Sequence, residues 1–456
     1  MNIYVIVFLI QILAEGYAIS DVHIGYQLTL AVPSAYTEGL SGRAYLMETE
    51  QLSPNFRTAL SVEAINEKYW CSLDIFLGDV RVWTSGHLSK FYTTEKCVLE
   101  LTYYGDLRLK DQNERIGWRS GTSGQGVERL QLLRTGNLVL VDSLNLIKWQ
   151  SFNFPTNIMM WGQSLSSATR LTSFPINSSN LFYSFEIQYD KIALYLNFGN
   201  WKYSYWEFRP SIKKNITFVQ LSSEGLGLFT GKHQKIDQIT SEGPEPLRFL
   251  ALGNNTGNLG LYHYSAEQGE FEESYEALNT SCDLPLACKP YGICTSSNMC
   301  SCIRVVESDG FQPDCRARNI EGLCGRSRAE MLELRGAITV LKGNPNEANV
   351  TKEICANLCL DDCSCVAAQY TNLGECFLYK FIRGIKQVER RNGLIFMVKI
   401  PKGEDEGHGR HSGLQKWVII VVGVVDGFII FLVLGGVGYY IIRKKLKNSP
   451  ITGQET

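Results

Sequence analysis

Apolar positions along this chain fall into three regimes. Ile3–Leu13 is a short unbroken apolar run, Trp417–Ile442 (WVIIVVGVVDGFIIFLVLGGVGYYII) is a long one, and between them apolar residues come in brief, interrupted stretches. From Ile24 to about Gln163 those stretches alternate apolar with polar residues, are rich in aromatic and β-branched side chains, and are punctuated by Gly and Asn. That pattern predicts short strands joined by tight turns. It also repeats. Leu99-Glu-Leu-Thr-Tyr-Tyr-Gly-Asp-Leu-Arg-Leu-Lys-Asp111 and Leu130-Gln-Leu-Leu-Arg-Thr-Gly-Asn-Leu-Val-Leu-Val-Asp142 share one frame: strand, Gly turn, strand, with the leucines on one face. Leu250–Leu261 carries a version with one extra turn residue, so two successive modules of one β architecture are predicted. The aromatic-rich block from Asn180 to Ala277 reads as cross-strand pairs inside the second module rather than a ligand platform.

The long run would reach ~39 Å as a helix, enough to cross a ~30 Å hydrocarbon core with some tilt. Trp417, Tyr439 and Tyr440 sit near its ends, and Arg443, Lys444, Lys445 and Lys447 follow it, which places the C-terminus in the cytosol. A glycolipid-anchor signal is disfavoured because charges continue past the apolar tail. Gly16-Tyr17-Ala18 suits cleavage after Ala18, so Met1–Ala18 is read as a removed signal peptide. Inside the span Asp426 needs a partner; it lies in Gly423-Val-Val-Asp-Gly427, a small-xxx-small stretch that permits close helix approach, so Gly423, Asp426 and Gly427 are the candidate association face.

Composition agrees with an oxidised, extracellular setting. The chain has 14 cysteines, all between Cys71 and Cys376, and sequons at Asn177, Asn215, Asn254, Asn279 and Asn349, all on the outer side of the span. A net charge of −2 argues against a nucleic-acid partner. Cys71 and Cys97 are the only cysteines of the first module and are expected to pair, worth about 3 kcal/mol on the chain-entropy account. Cys282, Cys288, Cys294, Cys300, Cys302 and Cys315 crowd a segment too small to bury a core, and spacing alone permits fifteen pairings. Cys355, Cys359 and Cys363 recur every fourth residue, which predicts one helical face within Glu353–Asp361, ahead of strands at Cys365–Tyr370 and Glu375–Tyr379.

No catalytic constellation emerges. His23, His87, His233 and His263 accompany no nucleophile motif, and His408 and His411 lie in a polar stalk where two histidines make no metal site. The chain is read as a non-enzyme without metal or cofactor.

Trp149-Gln-Ser-Phe-Asn-Phe-Pro-Thr-Asn157 with Gly162-Gln163, preceded by Trp118-Arg-Ser-Gly-Thr-Ser-Gly124 and Gly136-Asn-Leu-Val-Leu140, resembles the plant S-domain family, the S-locus glycoproteins and G-type (bulb-type) lectin receptor-like kinases. The resemblance implies a mostly β protein: tandem β-prism lectin-like modules, each with three sheets about a pseudo-threefold axis, then a disulfide-rich EGF-like module and an α+β PAN/apple module. Cys282-Asp283 and Lys289-Pro-Tyr-Gly-x-Cys294 match the family's EGF-like segment and imply Cys282–Cys294, Cys288–Cys300 and Cys302–Cys315. The PAN/apple likeness implies Cys355–Cys376 and Cys359–Cys365, which leaves Cys324 for Cys363.

The expected order is signal peptide 1–18, bulb-type lectin-like domain 19–163, second lectin-like (S-locus glycoprotein) domain 164–277, EGF-like module 278–318, PAN/apple domain 319–401, stalk 402–416, a single C-terminal transmembrane helix 417–442 and cytoplasmic tail 443–456. Mannose-binding relatives carry Gln-x-Asp-x-Asn-x-Val-x-Tyr. Here those positions hold Thr102, Tyr104, Asp106, Arg108 and Lys110 in one repeat and Leu133, Thr135, Asn137, Val139 and Val141 in the other, so mannose binding there is not expected and Asn137 is read as a turn residue. Family receptors continue into a kinase, whereas Arg443–Thr456 has no room for one.

The expectation is a type I plasma-membrane glycoprotein, N-terminus outside, that recognises a glycan or peptide ligand or a partner. The partner would be a receptor kinase or a second copy, met through the PAN module and the span. The alternatives are a wall-facing carbohydrate-binding adhesion protein, or a decoy or co-receptor of S-domain kinases. Nothing in the residues singles out pollen recognition, the family's best-known role.

Overall fold

A computed structural model describes residues 21–49, 53–176, 180–241, 245–303, 315, 323–343, 346–388, 393–402, 434–436, 438–439 and 443. The signal segment, most of the stalk, Asn177 and nearly all of the 417–442 run, with Gly423, Asp426 and Gly427, lie outside the described residues. Among those described, no helix is long and apolar enough to cross a membrane.

Strands dominate, in sheets of four or five whose pairings are antiparallel but for one described below. Three sheets occupy residues 21–150. The first joins Ser41–Glu48, Phe56–Ile65, Lys68–Leu77 and Val80–Thr84, with Phe91–Thr93 added against Lys68–Leu77. The second joins Gln27–Ala31, Lys96–Leu101, Leu107–Lys110 and Ile116–Arg119; the third joins Asp21–His23, Val127–Leu132, Leu138–Asp142 and Ile147–Gln150. Each sheet contributes one tryptophan to a central cluster. Trp83, Trp118 and Trp149 meet at centroid separations of 5.7–6.2 Å with near-perpendicular rings, the edge-to-face geometry that aromatic quadrupoles favour.

The same plan recurs over residues 158–276. Ile158–Met160 pairs with Leu247–Leu252, Ser164–Ser166 with Phe218–Ser222, and Arg170–Thr172 with Leu181–Ile187. In both trios the first strand closes the last sheet, the second strand the middle sheet and the third strand the first sheet. Sharing the chain's first three strands among the sheets lets each module lock its own ends together. One boundary therefore moves: Ile158–Met160, assigned from sequence to the first module, belongs to the second trio, and the hand-over falls between Gln150 and Ile158.

After Glu276 the expected EGF-like and PAN modules are not separate. The hairpin Gly292–Cys294/Cys300–Cys302 adds its first strand in parallel to Ile385–Gln387, which pairs in turn with Ala337–Thr339, so one sheet crosses the boundary drawn at 318. A two-stranded hairpin cannot bury a face alone, and this one borrows its neighbour's. The remaining sheet, Ala329–Leu334, Ile395–Pro401, Ala367–Tyr370 and Cys376–Tyr379, carries the helix Lys352–Asp361. Thr351 caps that helix, its side chain accepting from the Ile354 N–H. Cys355 and Cys359 face inward, but the helix ends at Asp361, so Cys363 stands beyond it rather than on its face.

The disulfides run Cys71–Cys97, Cys282–Cys294, Cys288–Cys300, Cys302–Cys315, Cys324–Cys363, Cys355–Cys376 and Cys359–Cys365. One apolar core fills the first trio; a second runs from the second trio into the C-terminal segment through residues such as Tyr203, Tyr379 and Phe396.

Candidate recognition surfaces

The repeated Gly-(Asp/Asn)-Leu frame resolves into a clamp. Gly105, Gly136 and Gly257 each take positive φ (73–82°) at the tip of their hairpins, a conformation that a Cβ strains. The residue that follows each glycine turns inward and holds the segment leaving the same sheet. Asp106 Oδ1 accepts from Ser120 Oγ at 3.1 Å and from the N–H groups of Gly121 and Thr122 at 2.9 and 3.1 Å. Asn137 Oδ1 accepts from Ser151 Oγ and the Phe152 N–H, both at 3.2 Å, while its Nδ2 donates to Gln150 at 2.7 Å. Asn258 accepts from the Leu278 N–H and donates to the Leu278 carbonyl. The frame's last residue starts the next turn: Asp111 receives the N–H groups of Asn113 and Arg115, and Asp142 those of Leu144 and Leu146.

These contacts decide what the mannose-motif positions can do. Arg108 and Lys110 both bind Glu100, at 2.8 and 3.0 Å, and Lys110 also binds Glu114 at 2.7 Å. Against the partial burial that would raise it, hydrogen bonds from both cations hold the Glu100 carboxyl low. Thr102 Oγ1 accepts from the Asp106 N–H, Tyr104 stands exposed, and in the other repeat Val139 and Val141 are buried. Thr102, Arg108, Lys110 and Asn137 are thus committed to the protein's own groups, and Val139 and Val141 offer none to a sugar.

The Trp149–Gln163 signature is a splice between the trios. Thr156 Oγ1 reaches the Val82 carbonyl in the first module, while Asn157 Nδ2 donates to the Leu252 carbonyl in the second. Gln163, almost fully buried, donates to the Phe152 carbonyl and accepts from the Met160 N–H. A cavity of about 10 Å³ lined by Trp83, Ser151, Phe152 and Gln163 is all the open space there, room for at most one water. His87 adds a second tie, its Nε2 2.9 Å from Thr172 Oγ1 in the second module. Burial pushes its imidazole down to about 4.

The aromatic block of the second module is mostly interior. Tyr203 packs on Tyr379 and Phe381 at 5.6 and 5.3 Å, Phe198 packs on Phe381, and the backbones of Ser204 and Lys342 exchange hydrogen bonds, binding the C-terminal segment to this sheet. Of the sequon residues, Asn215, Asn279 and Asn349 are exposed; Asn254 is half-buried, its Oδ1 accepting from the Phe174 N–H. Of the other histidines, His263 is buried 3.6 Å from Glu272, and among the described residues no cluster suits a metal ion.

Sequence reasoning passed over the outer face of the first sheet. Arg43, Glu63, Trp70, Asp74, Phe76, Arg81 and Lys90 come from different strands and a loop, so no contiguous motif announces them. Strand register assembles all but Lys90, which the loop before Phe91–Thr93 brings over Trp70.

Sheets, hairpins and disulfide-rich C-terminal segment together make a mostly β protein with few helices. The D-mannose binding lectin family matches residues 81–180 and the PAN-like domain family matches residues 331–400. The PAN domain-containing protein At5g03700 of Arabidopsis thaliana is 26% identical over 297 residues, covering 62% of this chain and 59% of that protein. The G-type lectin S-receptor-like serine/threonine-protein kinase SD2-5 of the same plant is 25% identical over 385 residues, covering 80% of this chain and 46% of that protein. A monomeric monocot mannose-binding lectin from Gastrodia elata aligns with 29% of this chain and 96% of its own at 22% identity and a TM-score of 0.19. The chain spans about half the length of the curated relatives it matches. The chain thus carries one segment that matches a lectin family and one that matches a PAN-like family, and over that region it is similar to the plant G-type lectin S-receptor-like kinases.

Proposed function

We propose that this protein is a receptor-like recognition glycoprotein of the plant cell surface. Its two sheet trios are tandem β-prism lectin-like modules, the 417–442 run is a single type I span with the N-terminus outside, and the sequons carry N-linked glycans. It recognises a ligand or a partner at the plasma membrane, a receptor kinase or a second copy being the partner class. The observation that carries this reading is the closure of both mannose-motif strands by the protein's own side chains: Arg108 and Lys110 are spent on Glu100 and Glu114, and Asn137 on Gln150, Ser151 and Phe152. The lectin scaffold is kept while its ordinary sugar contacts are not, and the families matched are binding folds rather than catalytic ones.

Proximity labelling from the C-terminal tail in living plant cells tests it. Recovery of one receptor kinase above a control with an exchanged span supports an accessory receptor. Recovery of none, with the protein retained on wall polysaccharide, transfers the function to adhesion.

A further inference from the structure

The outer face of the first sheet carries a row of cations over aromatic rings. The Arg43 guanidinium carbon lies 4.4 Å from the Phe76 ring centroid, and that of Arg81 lies 5.7 Å from the same ring and 5.2 Å from Trp70. Lys90 Nζ lies 5.0 Å from Trp70 and 5.9 Å from Phe174. Consecutive cations in the row thus share a ring. Only the middle one is neutralised: Arg81 is paired with Glu63 and stands 3.2 Å from Asp74. Among the described residues no carboxylate lies within ion-pair distance of Arg43 or Lys90, and both are exposed.

Beneath the row Asp74 is fully buried, and neither its carboxylate oxygens nor Ser61 Oγ nor Trp70 Nε1 has a well-aligned hydrogen-bond partner. Like charge accumulates. Burial and the neighbouring Arg43 bring Arg81 down to about 10, and burial and Arg81 lower Lys90. Packing like charges on one rigid face is unfavourable unless an anion relieves it. The two unpaired cations meet different rings, Arg43 that of Phe76 and Lys90 that of Trp70, and Arg81 shares a ring with each. An extended polyanion with recurring carboxylates meets both. Tyr45, two residues from Arg43 on the same strand and 49% exposed, continues the row: Arg57, itself 3.6 Å from Asp79, lies 4.8 Å over its ring, and the part of the ring left exposed offers an apolar surface to a pyranose.

We propose that Arg43 and Lys90, flanking Arg81 on the first sheet, bind a polyuronate, a chain of pyranoses each bearing a carboxylate. This rests on the recognition reading above and names the ligand class of the first module. Arg81, held by Glu63 and Asp74, positions the row, and the two unpaired cations supply the contacts.

The test is binding of sodium oligogalacturonate to the purified full chain, with neutral oligomannose and poly-glutamate as comparison ligands. The proposal expects oligogalacturonate to bind, more weakly as salt rises. The Arg43→Gln/Lys90→Gln variant should lose roughly tenfold or more in affinity, as expected when two charge contacts go. A second variant, Lys213→Ala/Lys232→Ala, removes two exposed cations of the other module and should bind as the parent does. An unchanged melting temperature certifies the fold of both. Equal affinity of the Arg43→Gln/Lys90→Gln variant and parent overturns the proposal, as does equal binding of oligomannose. Poly-glutamate binding as tightly as the uronate reassigns the row to an acidic peptide. If no uronate binds while proximity labelling still recovers a kinase, this inference falls and the recognition reading stands.

Discussion

Gln163 reaches back to Phe152, its Nε2 donating to the Phe152 carbonyl at 2.9 Å while its Oε1 accepts from the Met160 N–H at 3.0 Å. One buried amide thus fixes both sides of the turn by which the chain passes from the first trio to the second. The Trp149–Gln163 signature, read from sequence as a family mark, is physically the splice between two modules.

Replacing Gln163 by Leu leaves a buried carbonyl and a buried N–H without partners. Unpaired buried groups cost about 1–3 kcal/mol each, so we expect a loss of about 3 kcal/mol. Urea denaturation of the full chain measures it; a loss under 1 kcal/mol would mean that water replaces the amide.

Asn137 makes the corresponding clamp inside the first module. Asn137→Ala frees Gln150, Ser151 and the Phe152 N–H together, and should lower stability by about 2 kcal/mol. Because its side chain is committed to these partners, the same substitution should leave any glycan binding unchanged. A glycan array on parent and variant decides whether the residue is a clamp or a contact.

Lys399 is fully buried at the C-terminal end of the helix Lys352–Asp361, donating to the Asp362 carbonyl at 2.8 Å and reaching the Leu323 carbonyl at 3.4 Å. A cation there meets the negative end of the helix dipole and satisfies the carbonyl of the capping residue Asp362. Lys399→Met should weaken this end by about 2 kcal/mol, seen as faster amide exchange at residues 358–362 while the first trio is unaffected. Unchanged exchange would refute the capping role.

Acid stability should depend on His87. Its folded value is about 4 against 6.5 when unperturbed. Between those values the unfolded chain binds the extra proton, so stability is full above pH 6.5, falls as pH drops through the window, and is lost by roughly 3 kcal/mol below pH 4. His87→Gln keeps a side chain able to meet Thr172 without the titration and should flatten that part of the profile. An equally steep limb in the variant would assign it to other groups.

The Cys355–Cys376 bond ties the helix to the strand Cys376–Tyr379 across a separation of 21 residues. On the chain-entropy account its loss costs about 3 kcal/mol. Cys355→Ala/Cys376→Ala should therefore lower the melting temperature of the C-terminal segment, measured by calorimetry. No change would show that packing on Tyr203 and Phe381 alone holds it.

The sequence by itself determined what is local. Alternation and turn residues marked the strands, the Gly-(Asp/Asn)-Leu-x-Leu frame marked hairpins that occur where they were read, and the mannose positions were legibly degenerate. These features depend on residues a few positions apart. Tertiary structure decided the pairings across long separations. It sent Asp21–His23 to a sheet whose other strands begin at Val127 and gave Ile158–Met160 to the second trio. It also merged the small hairpin at Gly292–Cys302 with strands near residues 338 and 386. A period of two says which side chains share a face, but not which strand lies alongside. For the same reason the row of Arg43, Arg81 and Lys90 was invisible along the chain: it exists only where strand register, and the loop that carries Lys90, bring distant cations over shared rings.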